Sequence, residues 1–221
     1  MDPSQALLAA LVVLILGWFA VGVIWNIRRG SAVLKWMQAG LPRLGERTTV
    51  RWLGSSAVLL AIERARPPFR RVEVVIVLEP RDVPWFWLLA RARGRRDLLI
   101  LRGQLAAAPA FEYDWLLPGS WSARERRGRA DGRDWPAENL EALRFQAPPA
   151  TQNLARAAAL SALAAARAIS AAPIRLSSRR GQPHLELHVP LPHPARADAG
   201  EFFGAVRRLA DVMGERGALG G

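Results

Sequence analysis

Three histidines are the first side chains in this sequence that could do chemistry. His184 and His188 lie with Glu186 at alternate positions of a predicted strand, and His193 follows. Positions two apart on a strand are separated by about 6.8 Å and positions four apart by about 13 Å. Because Zn–N bonds are only about 2.0–2.1 Å long, one ion cannot easily take both His184 and His188. Glu186, one histidine and a distant ligand remain open as a metal site, but the pattern favours a polar, solvent-facing stripe, and we predict no metal.

Two carboxylates form the second candidate. Glu112 and Asp114 flank Tyr113 on one strand face, and a carboxylate pair is a minimal acid–base element. Two acids in a strand are more often surface groups that face arginine, and we favour that interpretation. The sequence contains no Gly-x-Ser-x-Gly, Walker, dinucleotide-binding or His-Glu-x-x-His motif, and Ser120 lies in a turn. The absence of cysteine excludes disulfides, thiolate metal sites and cysteine nucleophiles, and we predict no cofactor.

The elements that must position these residues follow from hydrophobic periodicity and turn signals. Tightly spaced segments rich in β-branched residues favour an antiparallel meander. The predicted strands are Thr48–Leu53, Ala57–Glu63, Phe69–Leu78, Asp97–Arg102, Phe111–Leu117, Ile174–Ser178 and His184–Val189. The predicted helices are Ser31–Gly40, Trp85–Arg93, Glu138–Phe145, Thr151–Ser170, and a last helix that Asp198 caps and that buries Phe202, Val206, Leu209 and Met213. The fold class is α+β: an N-terminal single transmembrane helix followed by one mostly antiparallel sheet with helices packed on it.

The longest apolar run lies near the N-terminus. Ala6 to Trp25 comprises 20 residues without a charge, and a helix of that length spans about 30 Å, the thickness of a bilayer's hydrocarbon core. A cleaved signal peptide is the main alternative. It is disfavoured because no lysine or arginine precedes the run, the run is too long, and no small-residue cleavage site follows it. The run therefore predicts a retained membrane anchor.

The charges on either side of the anchor predict its orientation. The side with more lysine and arginine stays cytoplasmic, and only the C-terminal flank is basic, with Arg28, Arg29 and Lys35. Trp25 lies where an interfacial aromatic belongs. Trp36 lies on the apolar stripe of the next helix, which suits either the membrane interface or packing on the domain.

The domain organisation follows from this orientation. We predict an extracytoplasmic N-terminus (residues 1–5), a transmembrane helix (6–27), a juxtamembrane segment (28–47) and a cytoplasmic α+β domain (48–221) at the cell membrane. Residues 119–136 are polar and dense in charge, and they are predicted to form an exposed loop. Because no other long apolar run follows, deleting residues 1–29 is expected to release a folded, soluble domain.

The chain is strongly basic, with a net charge of +12. Lys35 is the only lysine, and arginine supplies the other cations among the 31 basic residues. A heavy use of arginine, alanine, glycine and proline is typical of GC-rich coding, which weakens any functional interpretation of the charge. Anionic lipid remains a possible partner. Nucleic acid is disfavoured because the arginines alternate with acids and the chain is tethered to a membrane.

One segment outside the anchor joins large rings to cations. Trp85, Phe86 and Trp87 are followed within the same short helix and its end by Arg91, Arg93, Arg95 and Arg96. An interfacial membrane helix combines these two features, with rings at headgroup depth and cations toward anionic lipid. A core helix over the sheet and a surface for a protein partner are the alternatives.

These features predict a function of attachment rather than of a named reaction. We expect a single-pass membrane protein with a cytoplasm-facing binding or scaffolding domain. Its expected partners are the lipid bilayer, anionic lipid headgroups and another membrane protein. A membrane-bound enzyme with a site assembled from dispersed residues is the alternative, and binding of anionic lipid or nucleic acid through an arginine-rich surface is the third interpretation. A deep pocket with convergent polar groups would favour the enzyme.

Overall fold

One long helix begins the chain. The computed structural model describes residues 2–123, 135–140, 142–167 and 172–218, and its first helix, α1 (Pro3–Gln38), has 36 residues. The side chain of Asp2 caps it by accepting from the amide of Ser4 at 3.4 Å. Within the described residues, α1 is the one helix long and apolar enough to cross a membrane, and a signal sequence has the same properties.

The sequence predicted a separate helix at residues 31–40, and the structure continues α1 through that point. The new helix was expected to begin at Ser31 because serine is a favoured N-cap residue. Instead, Gly30 faces Trp52, and a Cβ at this glycine would come within 2.7 Å of the indole ring. The tertiary contact therefore explains the glycine, and Ser31 caps nothing.

In the part of the chain that the structure describes, nine antiparallel strands form a single sheet in the order β1-β2-β3-β4-β9-β8-β5-β7-β6. The first three strands form the predicted meander, and β9 then pairs with both β4 and β8. The α+β fold class is confirmed. The strands are β1 (Gly45–Trp52), β2 (Ala57–Ala65), β3 (Phe69–Val77), β4 (Leu98–Leu105), β5 (Tyr113–Leu116), β6 (Ala137–Leu140), β7 (Leu143–Gln146), β8 (Arg175–Ser178) and β9 (Leu185–Pro190).

Two of the remaining helices share the hydrophobic core with the sheet, and one connects β3 to β4. They are α2 (Pro84–Ala92), α3 (Gln152–Arg167) and α4 (Ala199–Ala218), with short 3-10 helices at Leu41–Arg43 and Pro149–Thr151. In α4, the predicted cap is confirmed, because the Asp198 carboxylate accepts from the amide of Glu201 at 2.7 Å. The predicted apolar stripe of α4 is also buried, at Phe202, Val206, Leu209 and Met213.

The helix predicted over Glu138–Phe145 is wrong. The segment forms the hairpin β6–β7, in which Asn139 pairs with Arg144. Phe145 lies opposite Trp115 on β5, and both side chains are fully buried. Burial of this aromatic pair on a neighbouring strand overrides the local helix propensity, as tertiary packing commonly does. Most of the predicted exposed loop, residues 124–134, lies outside the described residues.

The two halves of α1 have different surroundings. Large apolar side chains from Leu7 to Ile27 are exposed along its N-terminal part. In its C-terminal part, a stripe at spacings of three and four is buried, which places one helix face against the domain: Gly22, Asn26, Gly30, Val33 and Met37. The core therefore includes the end of the same helix whose beginning projects from the domain.

Candidate functional site

Helix α2 presents an apolar surface at the side of α1. None of its residues is buried, and the side chains of Trp85, Phe86, Leu88 and Leu89 are 47–60% exposed. On a helix these four positions fall within one broad arc. The interpretation of α2 as a core helix is therefore not supported. We call these four side chains the α2 apolar face.

The opposite side of α2 binds a buried carboxylate. Trp87 Nε1 donates to Glu79 Oε2 at 2.6 Å, and Arg91 lies 3.3 Å from the same oxygen. The Arg91 guanidinium also lies 5.7 Å from the centre of the Trp87 ring, within the range of a cation–π contact. The three adjacent aromatic side chains thus have different environments. Trp87 fixes α2 to the domain, whereas Trp85 and Phe86 are exposed.

Helices α1 and α2 meet at the loop that precedes α2. Trp18 Nε1 donates to the carbonyl oxygen of Arg81 at 2.9 Å, and its ring lies 6.3 Å from that of Trp87. A Cβ on Gly22 would come within 2.3 Å of the same carbonyl oxygen, so the absence of a side chain permits this approach. The loop backbone therefore packs directly on α1 inside the apolar run.

A buried polar cluster lies next to this contact, toward the C-terminal end of α1. It comprises Asn26, Arg29, Glu79, Arg81 and Asp97, which we call the junction cluster. Asn26 is fully buried, donates to the carbonyl oxygen of Glu79 at 3.0 Å and accepts from Arg81 at 3.1 Å. Asp97 accepts from Arg29 at 2.6 Å, from Arg81 at 3.0 and 3.1 Å, and from the amide of Glu79 at 2.8 Å.

The junction cluster keeps Asp97 ionised. Burial raises the pKa of this carboxyl, but hydrogen bonds from Arg81, from the Glu79 amide and from Arg29 outweigh burial and hold the pKa below the ordinary value of 3.8. Arg29 comes from α1, Arg81 from the loop and Asp97 from the start of β4. One carboxylate therefore ties α1 to the two segments that flank α2.

Among the other predicted interface residues, the arginines after α2 have internal contacts. Arg95 lies 5.5 Å from the centre of the Trp121 ring. Arg96 donates to the carbonyl oxygens of Arg91 and Arg95 at 2.9 and 2.7 Å. Arg93 is exposed. The cations that were predicted as one lipid-facing group therefore differ in role, and Arg91 and Arg95 help to hold the local fold.

The predicted interface residues of α1 also divide into two groups. Trp25, Arg28 and Lys35 are exposed. Trp36 faces the domain instead: its Nε1 donates to the carbonyl oxygen of Ala197 at 2.6 Å, and its ring lies 5.6 Å from that of Phe202. Trp36 thus takes the second of its two predicted environments, packing on the domain.

The solvent-facing stripe predicted for the strand β9 is wrong. His184 and His188 are buried, and His184 Nδ1 accepts from the amide of Leu105 at 3.1 Å. Glu186 accepts from His188 Nε2 at 2.7 Å, and the other ring nitrogen lies 2.8 Å from Ser122 Oγ. The three groups form a hydrogen-bonded chain: Ser122, His188, Glu186.

The carboxyl at the end of this chain is strongly acidic. Burial raises the pKa of Glu186, but the hydrogen bond from His188 and the charges of Arg175, His188 and Arg102 lower it to about 2. No group of three or more metal-ligating side chains occurs in the part of the chain that the structure describes. Asp114, predicted as a surface acid facing arginine, does pair with Arg175 and Arg179, but it is fully buried.

Two grooves flank Trp25 on the outside of α1. One has a volume of about 700 Å³ and lies between α1 and the segment 193–195. The other, of about 290 Å³, lies between α1, Arg81 and Trp87. Neither groove includes Ser122 or His188 among its lining residues. These two grooves are lined mainly by aliphatic, aromatic and arginine side chains, with His193 in the wider one.

No family model matches this chain, and no curated protein matches its sequence.

Sequence reasoning missed the junction cluster. Asn26 directly after an apolar run, and Asp97 directly before an apolar strand, are polar residues at places where burial is expected, and this was the available signal. Their partners are distant in sequence, since Arg29 and Asp97 are 68 positions apart. Sequence alone could not have paired them.

Proposed function

We propose that this chain is a single-pass membrane protein whose α+β domain lies against the cytoplasmic surface of the bilayer and acts as a binding or scaffolding domain. Two elements attach it. The apolar N-terminal half of α1 crosses the bilayer, and the α2 apolar face enters the cytoplasmic leaflet. The observation that carries the proposal is the contact of α2 and its preceding loop with Trp18, within the apolar run.

The depth of this contact follows from helix geometry. At a rise of 1.5 Å per residue, Trp18 lies about 10 Å from Trp25, the last residue of the apolar run. Measured from Asp2 at the other end, a hydrocarbon core of about 30 Å ends near Gly22, about 6 Å beyond Trp18. Both distances support a position of Trp18 within the hydrocarbon, with α2 beside it.

The composition of α2 agrees with this depth. Interfacial helices bury their apolar face by about 5–10 Å, which is the depth that the contact with Trp18 gives α2. Four exposed large apolar side chains on nine residues form the kind of surface patch that marks an interface rather than a solvated helix. Trp87 and Arg91 bind Glu79 on the protein side and hold this face toward the lipid.

The junction cluster supports retention of the anchor. Cleavage beyond Arg29 would remove Asn26 and Arg29 and leave Asp97 and the Glu79 carbonyl without these partners. Leaving buried polar groups unpaired is costly, so a domain built around α1 favours an anchor over a transient signal. Arg28, Arg29 and Lys35 on the C-terminal flank favour a cytoplasmic domain and an outside N-terminus.

A depth measurement tests this proposal. The chain has no cysteine, so Leu88→Cys introduces a single site for a nitroxide spin label on the α2 apolar face. In anionic vesicles we expect the Leu88→Cys label to be exposed to oxygen, shielded from an aqueous nickel complex and about 5–10 Å below the phosphates.

The control for this measurement is Arg51→Cys, at an exposed position on the sheet face that points away from α1. Its label should be freely accessible to the nickel complex. If the Leu88→Cys label is as accessible to nickel as the control, α2 does not enter the membrane and the proposal fails.

A membrane-bound enzyme is the second candidate, favoured by the chain of Ser122, His188 and Glu186. A histidine held by a carboxylate can take the proton of a serine hydroxyl that attacks an acyl group. A serine-directed fluorophosphonate should then label the wild type and the Ser120→Ala control but not Ser122→Ala. Ser122 is 2% exposed, and an unlabelled wild-type protein would assign the chain a purely structural role.

A further inference from the structure

The wider groove beside α1 combines an apolar wall with a cation. Val21, Ile24 and Trp25 line the part nearest the apolar run, and Arg28 and Arg29 follow one turn later. The groove's other wall is the segment 193–195. Trp36 of α1 donates to the carbonyl oxygen of Ala197, and the amide of Ala197 donates to the carbonyl oxygen of His193 at 3.1 Å. These two hydrogen bonds hold the segment against α1. The groove is therefore fixed at both sides and open toward the membrane-crossing half of α1.

We propose that this groove binds one phospholipid with an anionic headgroup, with its acyl chains along Val21 and Ile24 and its phosphate beside Arg28. The inference rests on the membrane attachment proposed above and assigns a specific lipid site to it. The groove volume of about 700 Å³ is in the range of ligand sites and suits a headgroup with the first part of its chains.

Arg28 gives the groove its preference for negative charge. Arg29 is already bound to Asp97, whereas Arg28 is exposed and makes no ion pair within the residues that the structure describes. Trp25 precedes Arg28 by one turn and is exposed at the depth where indole rings contact headgroups. The order along α1 is thus aliphatic, aromatic, cationic, which matches the order of acyl chain, glycerol region and phosphate in one leaflet.

The lining residues favour a lipid over a second transmembrane helix. Helices approach closely in membranes through small residues, and the membrane-facing wall here consists of valine, isoleucine and tryptophan. Gly22, a small residue of the same turn, is covered by the backbone of Arg81 and is not available to a partner helix. A bulky, irregular wall with a cation at one end suits flexible acyl chains and a phosphate.

Native mass spectrometry of the full-length protein tests the site. The protein is released from mixed micelles that hold equal amounts of phosphatidylglycerol and phosphatidylcholine. We expect the wild type to retain one phosphatidylglycerol per chain. Arg28→Gln should lower the affinity for phosphatidylglycerol, obtained from its occupancy as the lipid content of the micelles is varied, about fivefold, the factor that corresponds to about 1 kcal/mol for one cation near anionic lipid. Ala32→Trp, which places a ring in the groove, should displace the lipid whatever its headgroup.

The matched control is Arg51→Gln, an exposed arginine on the sheet face away from α1, and it should bind as the wild type does. The inference is wrong if the wild type and the three variants all retain both lipids equally. It is also wrong if the protein carries a second copy of the chain instead of lipid. Carbonate extraction of the same variants separates the two proposals: all should stay in the membrane if only the lipid site is wrong, whereas release of the wild type would contradict the attachment itself.

Discussion

Replacing Asp97 by asparagine is expected to lower the free energy of unfolding by about 3–5 kcal/mol, the usual cost of removing one partner from a buried charge pair. The substitution keeps the shape of the side chain but removes its charge. Arg81 and Arg29 would then face a neutral amide, although their side chains are only 19% and 32% exposed. Because Asp97 connects α1, the loop before α2 and β4, the loss should loosen the attachment of α1 to the domain.

Chemical denaturation in mild detergent measures this effect, with Glu63→Gln as the control. Glu63 is also an acid paired with an arginine, but its side chain is 56% exposed and lies 3.7 Å from Arg47. Exposed pairs contribute about 0–1 kcal/mol, so the control should unfold almost as the wild type does. Equal stability of Asp97→Asn and Glu63→Gln would contradict the role that we assign to the junction cluster.

The pH dependence gives the Asp97 prediction a second measurement. The pKa of Asp97 is lowered on folding, so its contribution to stability is complete above the ordinary value of 3.8 and is lost as the pH falls below that value. The difference in stability between the wild type and Asp97→Asn should therefore be constant from pH 7 to pH 5 and shrink in more acidic solution. A difference that grows in acid would show that another group carries the effect.

The parts of the fold that could be predicted from sequence are those with local signals. The β-branched segments after residue 48 gave the meander, and the Asp198 cap with its apolar stripe gave the last helix. In each, the pattern needs only its own residues to be interpreted, because the alternation or the cap is complete within a few positions.

The parts that could not be predicted depend on distant partners. Alternation correctly placed His184 and His188 on the face opposite Leu185 and Leu187, but it could not show that both histidines are buried or that Ser122 lies against His188. The residues before Phe145 have a local helix propensity, but Phe145 lies in a strand because it pairs with Trp115 on the neighbouring strand. The boundary at residue 29 was placed by charge, yet it cuts through the part of α1 that carries Asn26 and Arg29 into the domain.

Replacing Met37 by alanine should destabilise the domain by about 2–5 kcal/mol, the usual cost of truncating a large buried side chain. Met37 is fully buried, and it belongs to the same helix as the exposed apolar side chains of the proposed span. The prediction follows from α1 being one continuous helix, with its first half in the proposed membrane span and its second half in the core. If the helix instead ended with the anchor, residue 37 would belong to a peripheral segment and its truncation would cost little.

Leu14→Ala is the matched control for Met37→Ala, because both substitutions shorten a large apolar side chain in α1. Leu14 is 66% exposed and lies in the part of α1 that projects from the domain. Its truncation should leave unfolding of the domain unchanged, as followed by circular dichroism during chemical denaturation in mild detergent. A large loss of stability in Leu14→Ala, or none in Met37→Ala, would contradict the division of α1 at the junction cluster. If Met37→Ala destabilises the domain and Leu14→Ala does not, the proposed anchor cannot be exchanged for another apolar helix without also rebuilding the core, because the exposed apolar residues and the core residues belong to one continuous helix.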